Sequence, residues 1–206
     1  MTKEKLIIFV KNEEAGKVKS RLAKSIGNIE ALRVYQKLLR YTYSETVSLK
    51  MNKEIWYSSY VELNDIWEND RFTKKLQKGD DLGQRMEYAF KTAFENGAEK
   101  AVIIGSDNAE ITAKIIEDAF LSLNKKEFVI GPAKDGGYYL LGMNKFYPKV
   151  FKKVKWSTEE VFESTIGTIE QLGESIALLK TLNDVDIIED WIEAKGILLN
   201  TPEDHV

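Results

Sequence analysis

With 206 residues, 43% hydrophobic and 31% charged, the chain can bury one well-packed core beneath an ordinary globular surface. Its 30 basic and 33 acidic residues leave a formal net charge of −3, so no bulk field favours nucleic acid or an anionic membrane, and phosphate contacts must come from a local cluster of cations. There is no cysteine, which excludes disulfides, thiolate nucleophiles and Cys-ligated metal, and the one histidine, His205, stands in the polar tail "NTPEDHV" and is a poor catalytic candidate; chemistry falls to carboxylates, lysine, arginine, hydroxyls, backbone amides or a hard metal ion.

The opening stretch "MTKEKLIIFVKNEE" has an apolar run too short for a signal peptide or for the ~20 residues of a membrane span, so a cytoplasmic location is the default expectation. "LIIFV" (6–10) reads as a strand buried on both faces. After a polar loop with Gly16, a helix is predicted from Asn28 as its cap, with Leu32, Tyr35, Leu38, Leu39 and Thr42 at helical spacing. "EIWYSSY" (54–60) is rich in strand formers. Trp56, Trp67 and Phe72, near a charged segment, are candidates for covering a partner surface, and the oligomeric state stays open. "DLGQRMEYAFKTAFENG" (81–97) sets Met86, Ala89, Phe90, Ala93 and Phe94 on one helical face.

"AVIIG" (101–105), a helix from Thr112 to about Leu123, "FVIGP" (128–132) and "GGYYLLGM" (136–143) follow as strand, helix, strand and strand. "STEEVFESTIGTIEQLG" (157–173) opens on Ser157-x-x-Glu160, a capping-box pattern, and ends at Gly173. "IALLK" (176–180) reads as a strand and "DIIEDWIEAKG" (186–196) as a last helix stopped by Gly196. Strands alternating with helices, without a repeat or a Pro/Gly-rich linker, predict one α/β domain over 1–206, with a mostly parallel sheet and helices on both faces. Such sheets bind ligands beyond the carboxyl ends of their strands.

The loop "KNEEAGKVKSRLAK" (11–24) gathers Lys11, Lys17, Lys19, Arg21 and Lys24 around Gly16, a composition suited to pyrophosphate. It lacks both the Walker A spacing and G-x-G-x-x-G, and a solvated basic loop is the plain alternative. Asp107 follows "VIIG", and Asp184 and Asp186 follow the last strand, so acids from two strand ends reach one edge, where Mg²⁺ or Mn²⁺ needs only one or two carboxylates beside substrate phosphates and water. Each acid also has a local reading: an Asx-turn at Asp107-Asn108, and helix caps at Asp186 (with Glu189) and Asp81 (with Gln84). In "GPAKDGGYYLLGM" (131–143) a hairpin accounts for Asp135-Gly136-Gly137, while Lys134, Asp135, Tyr138 and Tyr139 crowd the turn with groups able to position a polar acceptor.

Six blocks in order, "FVKNEEAGKVKSRL", "GDDLGQRM", "VIIGSDNAEIT", "GPAKDGGYYLLG", "WSTEEVF" and "LNDVDIIEDW", make the chain resemble the bacterial nucleotide-diphospho-sugar transferase-like family known as arsenosugar-biosynthesis glycosyltransferases or selenodomain-associated transferases. The resemblance implies a Rossmann-like glycosyltransferase-A fold, with more distant similarity to sugar-1-phosphate and molybdopterin nucleotidyltransferases. It implies that Gly16, Lys17, Lys19 and Arg21, with Lys11, grip nucleotide phosphates. Asp81, Gly83 and Ser106 would belong to the substrate site through "GDDLGQRM" and "GSD". Asp107 and Asp186 would hold the metal, and Lys134, Asp135, Gly136, Gly137 and Tyr138 would border the acceptor, with Asp107, Lys19 and Asp135 in catalytic roles. The chain departs from the family pattern where "NEEAG" replaces a Pro-containing loop, "SDNAEIT" replaces "SDCPDLT" and "DVDIIED" replaces "DVDTPED". The expected activity is metal-dependent transfer of a sugar from a nucleotide diphosphate to a small acceptor. The alternatives are nucleotidyl transfer from a nucleoside triphosphate with release of pyrophosphate, and a nucleotide-binding module without turnover.

Overall fold

Alternate residues of the first strand enter different cores, which is what a sheet covered on both faces requires. The computed structural model describes residues 3–198, so the tail with His205 lies outside the described residues. The strands are β1 (Glu4–Val10), β2 (Asn52–Tyr57), β3 (Thr73–Leu76), β4 (Lys100–Gly105), β5 (Phe128–Pro132), β6 (Tyr138–Met143) and β7 (Ile176–Leu178). The helices are α1 (Ser20–Ile26), α2 (Asn28–Thr46), α3 (Leu82–Glu95), α4 (Ala113–Ser122), α5 (Val161–Gln171) and α6 (Ile188–Leu198), with a 3-10 turn at Pro148–Phe151. Leu6, Ile8 and Val10 pack with Val34, Leu38 and Leu39 of α2 and with residues of α4 and α6. Ile7 packs on the other face with Met86, Ala89 and Phe90 of α3 and Ile169 of α5.

The sheet order is β3-β2-β1-β4-β6-β5-β7. β1 pairs in parallel with β2 and β4, β2 with β3, and β5 with β7; β6 alone runs antiparallel, between β4 and β5. The expected α/β architecture, mostly parallel with helices on both faces, is what the chain adopts. Among the described residues no helix is long and apolar enough to cross a membrane.

Local signals hold at two helix starts. Asp81 accepts the Gln84 N–H at 2.8 Å and Thr112 accepts the Ile115 N–H at 3.3 Å, each capping its helix. They fail at four other helix ends. Asn28 makes no cap bond and is itself the first residue of α2, its side chain turned toward the left-handed turn at Gly16. Ser157 does not open a capping box: it sits at φ 64°, and α5 starts only at Val161 because the intervening loop is bent against the β5–β6 hairpin, where Phe162 N–H donates to Gly136 O at 2.9 Å. Asp186 is not the cap of α6, since Asp190 accepts the amides of Asp186 and Ile187 at 3.0 Å each. Gly196 does not stop α6, which continues to the buried Leu198. Trp56, Trp67 and Phe72 are core residues, not a partner surface: all three are buried, and Trp67 meets Phe72 edge-on at 5.1 Å between ring centres.

Candidate functional site

β1 and β4 are neighbouring parallel strands, so the chain leaves both at the same sheet edge, one into the basic loop and the other into Ser106-Asp107. The stretch after β7 returns there and is fastened across it. Val185 N–H donates to Asp107 O at 2.9 Å, and Asn108 bridges to Asp184, its side-chain amide donating to the Asp184 carboxylate at 3.0 Å. Asp107, Asp184 and Asp186 therefore arrive together from segments nearly 80 positions apart in sequence.

Lys19 stands among them. Its Nζ lies 2.9 Å from Asp107 Oδ1 and 3.5 Å from Asp186 Oδ1, and its side chain is only 3% exposed. The residue precedes α1 at φ 48°, ψ 45°, a left-handed conformation that costs a non-glycine residue roughly 1–2 kcal/mol. That twist turns the side chain inward, whereas Lys17, two residues earlier, points out and pairs with Glu14 at 2.6 Å. Arg21 reaches the other oxygen of Asp186.

These charges govern the carboxylates. Burial pushes the Asp107 acid up, but Lys19, aided by Lys11 and Arg21, outweighs it and holds the group below the ordinary range. Asp184 goes the other way: burial, then the Asp107 and Asp135 charges, push it up to about 7 against the opposing pull of Asn108 and Lys19.

A cleft of about 960 Å³ opens on this edge. Its lining takes Arg21, Asp107, Asp184 and Asp186 from the segments just described, and Asp135 and Trp156 from the β5–β6 hairpin and the loop before α5. The hairpin closes through Gly136 N–H to Ala133 O at 3.2 Å and Gly137 N–H to the Asp135 carboxylate at 2.9 Å. Two glycines hold the cleft's far wall. A Cβ on Gly136, at φ 84°, would come 2.2 Å from Glu159 O, and one on Gly83 would come 2.1 Å from the Trp156 ring.

The remaining candidates sit as follows. Ser106 is buried, its hydroxyl 3.2 Å from that of Tyr35, which accepts the Lys11 N–H at 2.7 Å; it fastens β4 to the basic loop from below. Lys11 itself lines a smaller cleft of about 280 Å³ beside Asn12, Tyr57 and Tyr60. Gly16 shapes the turn at 14–17. Asp81 caps α3, and Lys134 is 3.8 Å from Glu193 of α6. Tyr138 lines the large cleft, but its hydroxyl is buried beside Thr165. The sequence places Asp184 at this edge without giving it a role beside Asp186, and it leaves out Trp156 and the acids Glu159 and Glu160, whose signal is their place in "WSTEEVF".

Among the described residues no three histidines or acids form a ready-made metal cage. A hard cation can take only one or two carboxylates and complete its shell with phosphate oxygens and water; Asp107 and Asp186 are two carboxylates of this edge, their charge now compensated by Lys19 and Arg21.

The chain is similar over its full length to a crystal structure of a "putative nucleotide-diphospho-sugar transferase" from Desulfovibrio desulfuricans G20, with 29% identity, 90% of that chain covered and a TM-score of 0.85. More distant structures share the fold. CMP:2-keto-3-deoxy-manno-octonic acid synthetase complexed with CTP has 8% identity and a TM-score of 0.60, with 98% of this chain and all of that one covered. Rv0371c of Mycobacterium tuberculosis H37Rv in complex with manganese has 11% identity and a TM-score of 0.54, with 94% and 97% covered. Among curated proteins none matches the chain. Residues 44–158, more than half of the chain and inclusive of Asp107 and the Asp135–Gly137 turn, match the family described as uncharacterized protein conserved in bacteria (DUF2064), and to that family the chain belongs.

Proposed function

We propose that the protein is a nucleotide-dependent transferase that moves a sugar from a nucleotide-diphosphate donor to a small hydroxyl acceptor. The observation that carries this reading is the buried Lys19 ammonium between Asp107 and Asp186, at the sheet edge where the 960 Å³ cleft opens. On this reading Lys19 and Arg21 take charge from the departing diphosphate, which is the largest electrostatic demand of such a transfer. Asp107 and Asp186 would hold Mg²⁺ or Mn²⁺ together with donor phosphate oxygens, and the metal would supply further neutralisation of the leaving group. Lys11, which lines the smaller cleft, would extend the cationic side, whereas Lys17 is free to do so only on leaving Glu14. Asp135, which lines the cleft, would orient the acceptor, and Asp184, pushed up to about 7, is suited to receive the acceptor's proton near neutral pH. The similarity to nucleotide-using transferases supports the reading, as does the manganese of a structural neighbour.

Calorimetric titration with UDP, GDP, CDP, ADP and dTDP, with and without Mn²⁺, tests it. One of these binds the wild type in a metal-dependent way and fails to bind Asp107→Ala; equal binding by both proteins removes the reading. Nucleotidyl transfer is the second reading, favoured by the single acid of "GSD" where Asp-x-Asp would stand in many sugar transferases. The two separate on product: pyrophosphate from a triphosphate, or a nucleoside diphosphate from a sugar nucleotide.

A further inference from the structure

The cleft has two chemically different halves. One is lined by Arg21, engaged by Asp186, with Lys19 buried beneath it between Asp107 and Asp186. The other is lined by Asp135, Glu159, Glu160 and Asp184 with the Trp156 indole, and no basic side chain lines it. Among the described residues no cation lies within ion-pair distance of Asp135, Glu159 or Asp184, and Glu160 meets only the exposed Lys155, at 3.2 Å. Lys134, the nearest lysine in sequence, is drawn off toward Glu193.

Carboxylates accept hydrogen bonds from hydroxyls and ammonium groups and repel phosphates and other carboxylates. An indole offers an apolar ledge on which the C–H face of a sugar ring can rest. Trp156 is held by its contact with Gly83, and the loop that carries Glu159 is pressed onto Gly136. The wall is thus set in place by backbone contacts that a side chain at either glycine would destroy.

We propose that the acceptor is a hydroxyl-rich compound without any anionic group, a sugar or polyol resting on Trp156, and that phosphorylated or carboxylated acceptors are excluded by the surplus of carboxylates. The inference rests on the sugar-transfer reading above. In the step it implies, an acceptor oxygen forms the bond to the anomeric carbon of the donor. The bond from that carbon to the phosphate oxygen breaks, its electron pair leaves with the diphosphate, and the acceptor proton passes to a carboxylate of this wall.

The test fills the phosphate half with inorganic pyrophosphate and Mg²⁺ and compares matched probes by saturation-transfer NMR: methyl glucoside and glucosamine against glucose 6-phosphate, and glycerol against glycerol 3-phosphate. The uncharged and cationic probes are expected to bind at least about tenfold more tightly than their phosphorylated partners, the combined effect of several like-charge contacts. In the doubly neutral variant Glu159→Gln/Glu160→Gln, both exposed positions, the ratio narrows. Phosphorylated probes binding equally or better, no binding by any probe, or an unchanged ratio in the variant overturns the inference. Pyrophosphate binding, followed by calorimetry on the same samples, separates the failures. If pyrophosphate binds and the ratio is absent, the acceptor class alone is wrong. If pyrophosphate does not bind, the transferase reading falls and the inference falls with it.

Discussion

Lys19 Nζ lies 2.9 Å from Asp107 Oδ1, in a side chain almost wholly removed from solvent. The pair is therefore more than a surface contact, although Asp107, about a third exposed, softens its worth through solvent screening. Lys19→Met leaves Asp107 and Asp186 facing each other without their shared cation. Urea denaturation is expected to show a loss of about 1–3 kcal/mol, the range for hydrogen-bonded charged groups left unpartnered. Calorimetry separates two further consequences of the proposed role. Affinity for a nucleoside diphosphate falls at least about tenfold, while Mn²⁺ alone binds more tightly, because no ammonium competes for the two carboxylates.

Asp184 yields a stability prediction of definite sign. Its acid is pushed up to about 7 by burial and by the nearby Asp107 and Asp135 charges, against an unfolded value of about 3.9. A raised carboxyl disfavours the folded state once it must ionise, so its cost is absent below about pH 4 and complete above about pH 7. Asp184→Asn removes the cost and keeps a polar partner for Asn108. Thermal denaturation in a chelator should find the variant stabilised at pH 8 and indistinguishable from wild type near pH 4.

Glu54 behaves in the opposite sense, far from the cleft. It is buried in β2, with Lys5 Nζ at 2.6 Å, Lys75 Nζ at 3.0 Å and the Trp56 indole N–H at 2.9 Å. Burial pushes its pKa up, but the two lysines outweigh that and hold it below the ordinary value. The stabilisation is therefore present above the unfolded value of about 4.3 and is lost as pH falls through the lower folded one. Glu54→Gln leaves two lysines unpaired and should cost about 3 kcal/mol at pH 7, as for one broken partner of a buried ion pair. Chemical denaturation from pH 7 down to pH 3 should show the gap between variant and wild type closing.

Much of this was readable in advance, and the exceptions have physical causes. Uninterrupted apolar runs such as "LIIFV" and "FVIGP" mark strands buried on both faces, and Asp81 and Thr112 announce their helices because each satisfies an amide within its own turn. β3, "TKKL", is a polar edge strand without alternation, and α1 buries only Leu22 of its seven residues, so neither carries a periodic signal. The meeting of Asp107 with Asp186 follows from topology, since both leave the same sheet edge. The division of labour between Lys17 and Lys19 does not, because it depends on one left-handed residue in a loop of similar cations. Asp184 was visible as an acid at the right edge, but its separation in behaviour from Asp186 comes from which one the basic side chains reach.

Gly83→Ala and Gly136→Ala probe the wall of the cleft. The new methyl at residue 83 meets the Trp156 ring and must displace it. At residue 136 it meets the Glu159 backbone from a left-handed glycine, adding about 1–2 kcal/mol of conformational cost for a residue with a Cβ. Both variants should keep the sheet, seen as unchanged far-ultraviolet dichroism, yet alter the near-ultraviolet aromatic signal. Intact near-ultraviolet spectra would show that the loop tolerates the intrusion and that the contact is slack.

The one reversed strand, β6, has a bearing on how such an enzyme can diversify. Because it turns back between β4 and β5, the tip that introduces it is a short hairpin at the cleft, tied by backbone bonds to Leu182 on one side and to Phe162 on the other. The exposed side chains of Lys134 and Asp135 at that tip can be exchanged while the backbone contacts of Gly136 are kept, and neither belongs to the parallel strands that carry Lys19 and Asp107. On the proposed reading, a lineage could change what it modifies while leaving untouched the machinery that handles the nucleotide.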